Sequence, residues 1–196
     1  MSKQRKICLF GGTFDPIHLG HLHIAQAAVD ELELDKVIFL PCKQSPHKSN
    51  HAQASEDDRL EMCRIATADI HWAEVDEHDL VAASPCYSWR TAENIATRFP
   101  DAELYWLMGT DQWQALPEWN RPNHLAHLVK FIVYTRGETP TPRQGYELHG
   151  ITGSHPASAT KIRANMPQHL LTDWLSPEVA QYIEKHQLYS HDSTSE

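Results

Sequence analysis

Residues 6–32, KICLFGGTFDPIHLGHLHIAQAAVDEL, decide the fold. Lys6–Phe10 is an apolar run of strand length that ends in Gly11-Gly12. From Leu19 the apolar residues Leu22, Ala25, Val29 and Leu32 recur at steps of three and four, which lays them along one face of a helix. A strand that breaks at glycines and continues as a helix is the first half of a parallel β–α–β unit.

The alternation continues downstream. Lys36–Pro41 (KVIFLP), His71–Val75, Glu103–Met108 (ELYWLM) and Leu128–Thr135 (LVKFIVYT) are further runs of strand length. Ser55 followed by Asp58 is a capping-box signature, and Leu60, Cys63 and Ala66 continue a helical face behind it. Ser88–Arg98 reads as a helix stopped by Pro100, and Ser176-Pro177 opens a last helix running to about His186, with proline at the first helical position. Cys42–Ala54 and residues 137–147 read as loops, and the tail 190–196 (SHDSTSE) as disordered. Strand–helix alternation at this spacing implies parallel strands joined by right-handed crossovers. The expected fold is α/β: one Rossmann-like, doubly wound domain over residues 1–189, with a mainly parallel sheet and a small C-terminal helical portion. Ligands of such sheets bind beyond the carboxyl ends of the strands, and here the polar, glycine-rich segments do follow strands.

Composition excludes several classes. With 196 residues, 41% hydrophobic, the chain can bury one real core. Eight Gly, 12 Pro and four Cys rule out collagen-like, disordered and disulfide-scaffold proteins. Lys plus Arg total 17 against 26 Asp plus Glu, a net charge of −9, which argues against gripping a nucleic-acid polymer but not against a mononucleotide. The cysteines at 8, 42, 63 and 86 form no CxxC pair and read as free thiols. The apolar run after Lys3, Arg5 and Lys6 is too short for a signal peptide, and no stretch approaches the ~18 apolar residues a bilayer requires. A soluble, cytoplasmic protein is the expectation.

The densest chemistry lies in residues 11–21, GGTFDPIHLGH. Paired glycines at a strand end let backbone N–H groups approach phosphate oxygens. His18 and His21, three apart at a helix start, project to one side, and Gly20 between them is expected to keep that side open. Two imidazoles beside a helix N-terminus suit anions and the charge that develops in nucleotidyl transfer. With 14 histidines in the chain, an HxxH pair alone means little; zinc lacks a nearby third ligand, and the glycines do not fit G-x-G-x-x-G.

The whole string resembles the HxGH signature of the nucleotidyltransferase superfamily, in the form found in bacterial nicotinate mononucleotide adenylyltransferases. Pro46-His47-Lys48 matches that family's PxHK loop, and Arg59 its following helix. Cys86-Tyr87-Ser88-Trp89-Arg90-Thr91 resembles SY[ST]xxT, with Cys86 in place of Ser. Gly109-Thr110-Asp111 with Leu116-Pro117-Glu118-Trp119 matches GxDxxxxLPxW. Ala157–Arg163 (ASATKIR) resembles ISSTxIR, with Ala157 and Ala159 as departures that keep Ser158, Thr160 and Arg163.

The resemblance implies that ATP and nicotinate mononucleotide give nicotinate adenine dinucleotide and pyrophosphate. His18, His21 and Arg163 would then be catalytic. Gly11, Gly12, Thr13, Phe14, Gly20, Gly109, Asp111, Ser158 and Thr160 would bind ATP. Lys48, Tyr87, Ser88, Trp119 and Arg136 would bind the pyridine nucleotide, with Trp119 as a stacking surface. Magnesium would travel with ATP, with no dedicated protein site. ATP and nicotinate mononucleotide are the expected partners, without a nucleic-acid polymer or a membrane, and a homo-oligomer stays open. His23, His51, His124, His127 and His155 read as surface. A sibling transferase with another acceptor, an enzyme preferring the amide mononucleotide, and a silent nucleotide sensor remain alternatives; intact His18, His21 and Arg163 argue against the last.

Overall fold

The computed structural model describes residues 4–43, 52–82, 85–164 and 173–189. Its elements in order are β1 (Lys6–Gly12), α1 (Leu19–Leu32), β2 (Lys36–Pro41), α2 (Glu56–Thr67), β3 (Ala73–Val75), α3 (His78–Val81), α4 (Ser88–Arg98), β4 (Glu103–Gly109) and α5 (Thr110–Ala115). A 3₁₀ turn (Leu116–Glu118), α6 (Pro122–Leu128), β5 (Lys130–Thr135), β6 (Leu148–Thr152), α7 (Ala159–Arg163) and α8 (Pro177–Lys185) complete it.

The strands form one six-stranded sheet in the order β3-β2-β1-β4-β5-β6, and every neighbouring pair is parallel. That is the doubly wound arrangement read from the sequence. Side chains on β1 divide between two cores: Cys8 and Phe10 pack with Ala25 and Ala28 of α1, while Ile7 and Leu9 pack with Ala92 and Ile95 of α4. Burial on both faces explains why the central strands are unbroken apolar runs rather than alternating ones. Each such side chain contributes about 1.5–3 kcal/mol when fully buried, so the centre of the sheet is a stiff platform.

Local signals placed most boundaries. Ser55 caps α2, its Oγ accepting from Asp58 N–H at 3.1 Å, and Glu56, Asp57 and Asp58 fill the first turn, where the helix dipole favours acids. Ser176 caps α8 with Pro177 behind it. Other expectations need correction. The sheet has six strands rather than five, because β6 buries only Ile151 and carries Gly150, leaving no apolar run to read. The fifth strand starts at Lys130, not Leu128, because Pro122–Leu128 is a helix. The third strand is only Ala73–Val75. The disordered reading of 190–196 lies outside the described residues.

Because all strands are parallel, Gly12, Pro41, Gly109, Thr135 and Thr152 end on one edge of the sheet. The segments that follow β1, β4, β5 and β6 converge where the strand order reverses, between β1 and β4.

Candidate active site

The turn from β1 into α1 carries the two HxGH imidazoles. His18 is the residue before the first turn of α1, in extended conformation at φ −148°, and is 9% exposed. Its backbone N–H donates to His21 Nδ1 at 3.2 Å, and the two rings stack with centroids 3.7 Å apart. Accepting at Nδ1 puts the proton of a neutral His21 on Nε2, away from the backbone. His18 Nδ1 is buried and has no hydrogen-bond partner among the described residues. Burial, then the nearby His155 and Arg136, lower the pKa of His18 to about 4, so the ring is neutral at pH 7.

Two glycines here do something other than expected. A Cβ on Gly20 would lie 2.9 Å from His18 Nδ1 and 3.3 Å from His155 Nδ1. Gly20 therefore makes room for those rings rather than for a ligand directly. A Cβ on Gly12 would lie 2.9 Å from the Phe14 ring. Phe14 adopts the left-handed region at φ 48°, its side chain buried edge-on against His21 at 5.0 Å and Phe10 at 5.6 Å. The Phe14 ring thus braces His21 from inside the fold.

Arg59 is fully buried, and its role goes well beyond a motif position on α2. Nη1 donates to Thr13 O at 2.6 Å and Cys42 O at 2.7 Å, and Nη2 to Lys43 O at 3.2 Å. One planar fork thereby ties the segment after β1 to the segment after β2. Asp15 is a second hub. Its carboxylate accepts from Gln53 N–H at 2.8 Å, Ala54 N–H at 3.1 Å and Tyr189 Oη–H at 2.7 Å. Arg163 donates from Nη1 to Asp15 O at 2.5 Å, and its Nε lies 3.8 Å from the Asp15 carboxylate. The first and last motifs, 148 residues apart, therefore meet at one aspartate.

The remaining expected residues fall in three groups. Gly109 precedes α5, and Asp111 in its first turn is exposed. Ser158 precedes α7 with its hydroxyl not spent on capping, and Thr160, in the first turn, is exposed. Arg136 is exposed just after β5 and acts on His18 through charge. Tyr87 and Ser88 stand at the start of α4, where Arg90 lies over the Tyr87 ring at 5.4 Å. Trp119 does not form the expected open stacking face. The 3₁₀ turn with fully buried Leu116 carries it inward, 9% exposed, edge-on to Trp106 at 6.3 Å. Lys48 lies outside the described residues.

Several residues at this edge escaped the sequence reading. His155, taken as surface, is half-buried beside the HxGH pair, with its ring centroid 5.5 Å from that of His23, which is exposed as expected. Buried Asp79 accepts from Thr91 Oγ1–H at 2.6 Å, so the last residue of the Tyr87-Ser88 motif anchors α4 to α3, and burial pushes that carboxyl up. Arg59, singled out only as a motif position on its helix, follows the acids Glu56, Asp57 and Asp58; nothing local marks His155. The four cysteines are free, as expected. Among the described residues, no group of three or more His, Cys, Asp or Glu is arranged to hold a metal, and no helix is long and apolar enough to cross a membrane.

Comparison with known proteins agrees with this geometry. Residues 9–191 match the cytidylyltransferase-like family. A Neisseria meningitidis protein described as a probable nicotinate-nucleotide adenylyltransferase is 38% identical over 200 aligned positions, covering 95% of this chain and 99% of that protein. One of the same description from Methylacidiphilum infernorum is 34% identical, covering 96% and 94%. The fold matches that of Plasmodium falciparum nicotinic acid mononucleotide adenylyltransferase, solved with NaAD, at a TM-score of 0.75 and 18% identity over 95% of this chain and 98% of that one. Full-length similarity, together with an HxGH turn at the switch point of the sheet, places this chain in the cytidylyltransferase-like family, among the nicotinate-nucleotide adenylyltransferases.

Proposed function

We propose that the edge formed by β1, β4 and β5 brings ATP and nicotinate mononucleotide together for adenylyl transfer in NAD biosynthesis. An oxygen of the mononucleotide phosphate attacks the α-phosphorus of ATP. The bond from that phosphorus to the bridging oxygen of the β-phosphate breaks, and pyrophosphate leaves with nicotinate adenine dinucleotide as the other product. No protein nucleophile is needed, so the chain's work is positioning and charge stabilisation.

The following roles belong to this reading, that of Lys48 on its motif alone. Gly11, Gly12 and Thr13 offer N–H and hydroxyl donors to phosphate, on a segment that Arg59 immobilises. Gly20 clears the space in which His18 sits, and His18 and His21 stabilise the five-coordinate phosphorus. Ser158, Thr160 and Arg163 take the β- and γ-phosphates, Arg163 leaving Asp15 or sharing with it. Gly109 and Asp111 meet the adenosine, the carboxylate suiting ribose hydroxyls. Tyr87, Ser88, Lys48 and Arg136 serve the mononucleotide. The observation that carries this reading is the stacked His18–His21 pair with an orphaned, buried imidazole nitrogen at the switch point. Pyrophosphate release from ATP with nicotinate mononucleotide, the amide mononucleotide and other phosphorylated acceptors tests it; release with none of them overturns it. A cytoplasmic setting and a single transferase unit through Tyr189 belong to the same reading, with no polymer or membrane as partner and a homo-oligomer left open.

Magnesium enters as part of the substrate, MgATP. The described residues make no cage of their own, which fits an ion carried on the phosphates, where it neutralises the charge of the leaving pyrophosphate. Excess EDTA is expected to abolish turnover and added Mg²⁺ to restore it; full activity with verified metal-free ATP is the contrary result.

The acid substrate should be preferred. α4 starts on the carboxyl side of the sheet, its first two N–H groups, those of Ser88 and Trp89, have no acceptor within the helix, and no acid lies in its first turn. Hydrogen bonds to a charged group are worth about 1.5–3 kcal/mol against about 1 for neutral ones, so two of them favour the carboxylate over the amide by roughly tenfold or more. Ser88→Pro removes one donor at a position where proline fits the helix, and Tyr87 already has the extended backbone proline demands. The ratio of kcat/KM for acid and amide should fall about fivefold in this variant. Equal efficiencies in the wild type would favour the amide reading.

A further inference from the structure

We propose that His155 is a third imidazole of the triphosphate subsite, donating a hydrogen bond from Nε2 to the phosphates that leave as pyrophosphate. This rests on the reading that ATP lies along this edge. His155 sits in the segment between β6 and α7, three residues before Ser158. Its Nδ1 accepts from Ala157 N–H at 3.1 Å, which assigns the ring proton to Nε2. The ring is half-buried, and a Cβ on Gly20 would press on its Nδ1 at 3.3 Å.

The surroundings are those of an anion site. The charged neighbours that act on His18 are His155 and Arg136, and the one that acts on His155 is His23, all of them basic. Besides His18 Nδ1, a second buried polar atom at this edge, Tyr134 Oη at the end of β5, has no hydrogen-bond partner among the described residues. Tyr134 packs edge-on to His23, with centroids 6.2 Å apart. Clustered imidazoles and two orphaned polar atoms are costly without a ligand, and a polyphosphate would satisfy them.

A purely structural duty for His155, ordering the turn into α7 through Nδ1, predicts something different. Asparagine places a carboxamide oxygen near the Nδ1 position, whereas glutamine places a carboxamide N–H near Nε2. His155→Asn should therefore raise KM for ATP about tenfold and weaken inorganic pyrophosphate binding, measured by calorimetry, by a similar factor. His155→Gln should restore both to within threefold, and KM for nicotinate mononucleotide should stay unchanged in both variants. Normal pyrophosphate binding by His155→Asn, or equal impairment of the two variants, overturns the proposal. Pyrophosphate binding needs no acceptor, so wild-type protein that binds it yet makes no dinucleotide would count against the adenylyl-transfer reading alone.

Discussion

Replacing His18 or His21 by alanine is expected to lower kcat by on the order of 10²–10³, about 3–4 kcal/mol of transition-state stabilisation, with the fold intact. The two rings are held in one stack, and the stack is braced from three sides: by the His18 N–H on His21 Nδ1, by the Phe14 edge and by the absence of a Cβ on Gly20. Such a pair acts as a unit, so the double variant should lose little more than either single one. Stability should fall by only about 1–2 kcal/mol, because the buried His18 side chain makes no capping bond to α1 and the half-buried His21 gives up one acceptor, that of the His18 N–H. Steady-state pyrophosphate release, with thermal unfolding measured alongside, checks this. A single variant within threefold of the wild-type kcat would remove the two histidines from the chemistry.

The second large effect belongs to Arg59. Arg59→Met keeps most of the stem volume but leaves the half-buried carbonyls of Thr13, Cys42 and Lys43 without their donor. Each orphaned acceptor costs about 1–3 kcal/mol, partly offset by no longer burying a charge, so a net loss of about 3 kcal/mol or more is expected. For a chain of this length that lowers Tm by roughly 6–12 °C. KM for both substrates should rise as well, because the segments after β1 and β2, proposed to line the site, lose their common anchor. Arg59→Lys should recover little, since a single ammonium cannot reproduce a fork that spans two backbone segments. A Tm within 2 °C of wild type for Arg59→Met would show that the clamp is dispensable.

Much of this molecule was legible before any coordinates. Lys6–Phe10, Lys36–Pro41 and Ser88–Arg98 became elements with nearly the expected bounds, since apolar periodicity and caps are local properties that tertiary contacts had no reason to override. The doubly wound order followed from alternation and the handedness of crossovers. β6 was invisible because an edge strand with one buried side chain carries no apolar run. α5 and α6 were hidden by their brevity, in segments whose composition resembles loop. Trp119 looked like an open ring because its neighbours in sequence are polar, yet Trp106, against which it packs, comes from β4.

At the site the division is similar. The sequence alone determined which residue types gather at the HxGH turn, since spacing of three along a helix start brings two imidazoles to one side. Only the tertiary structure decided what those residues do for one another. Gly20 serves the His18 ring, Phe14 braces His21, Asp15 joins Arg163 and Tyr189, and Arg59 ties two segments together. His155 enters the site for the same reason. Parallel strands deliver their carboxyl ends to one edge, so residues separated by more than a hundred positions become neighbours there, and hydrogen-bond geometry between such residues has no local trace in the chain.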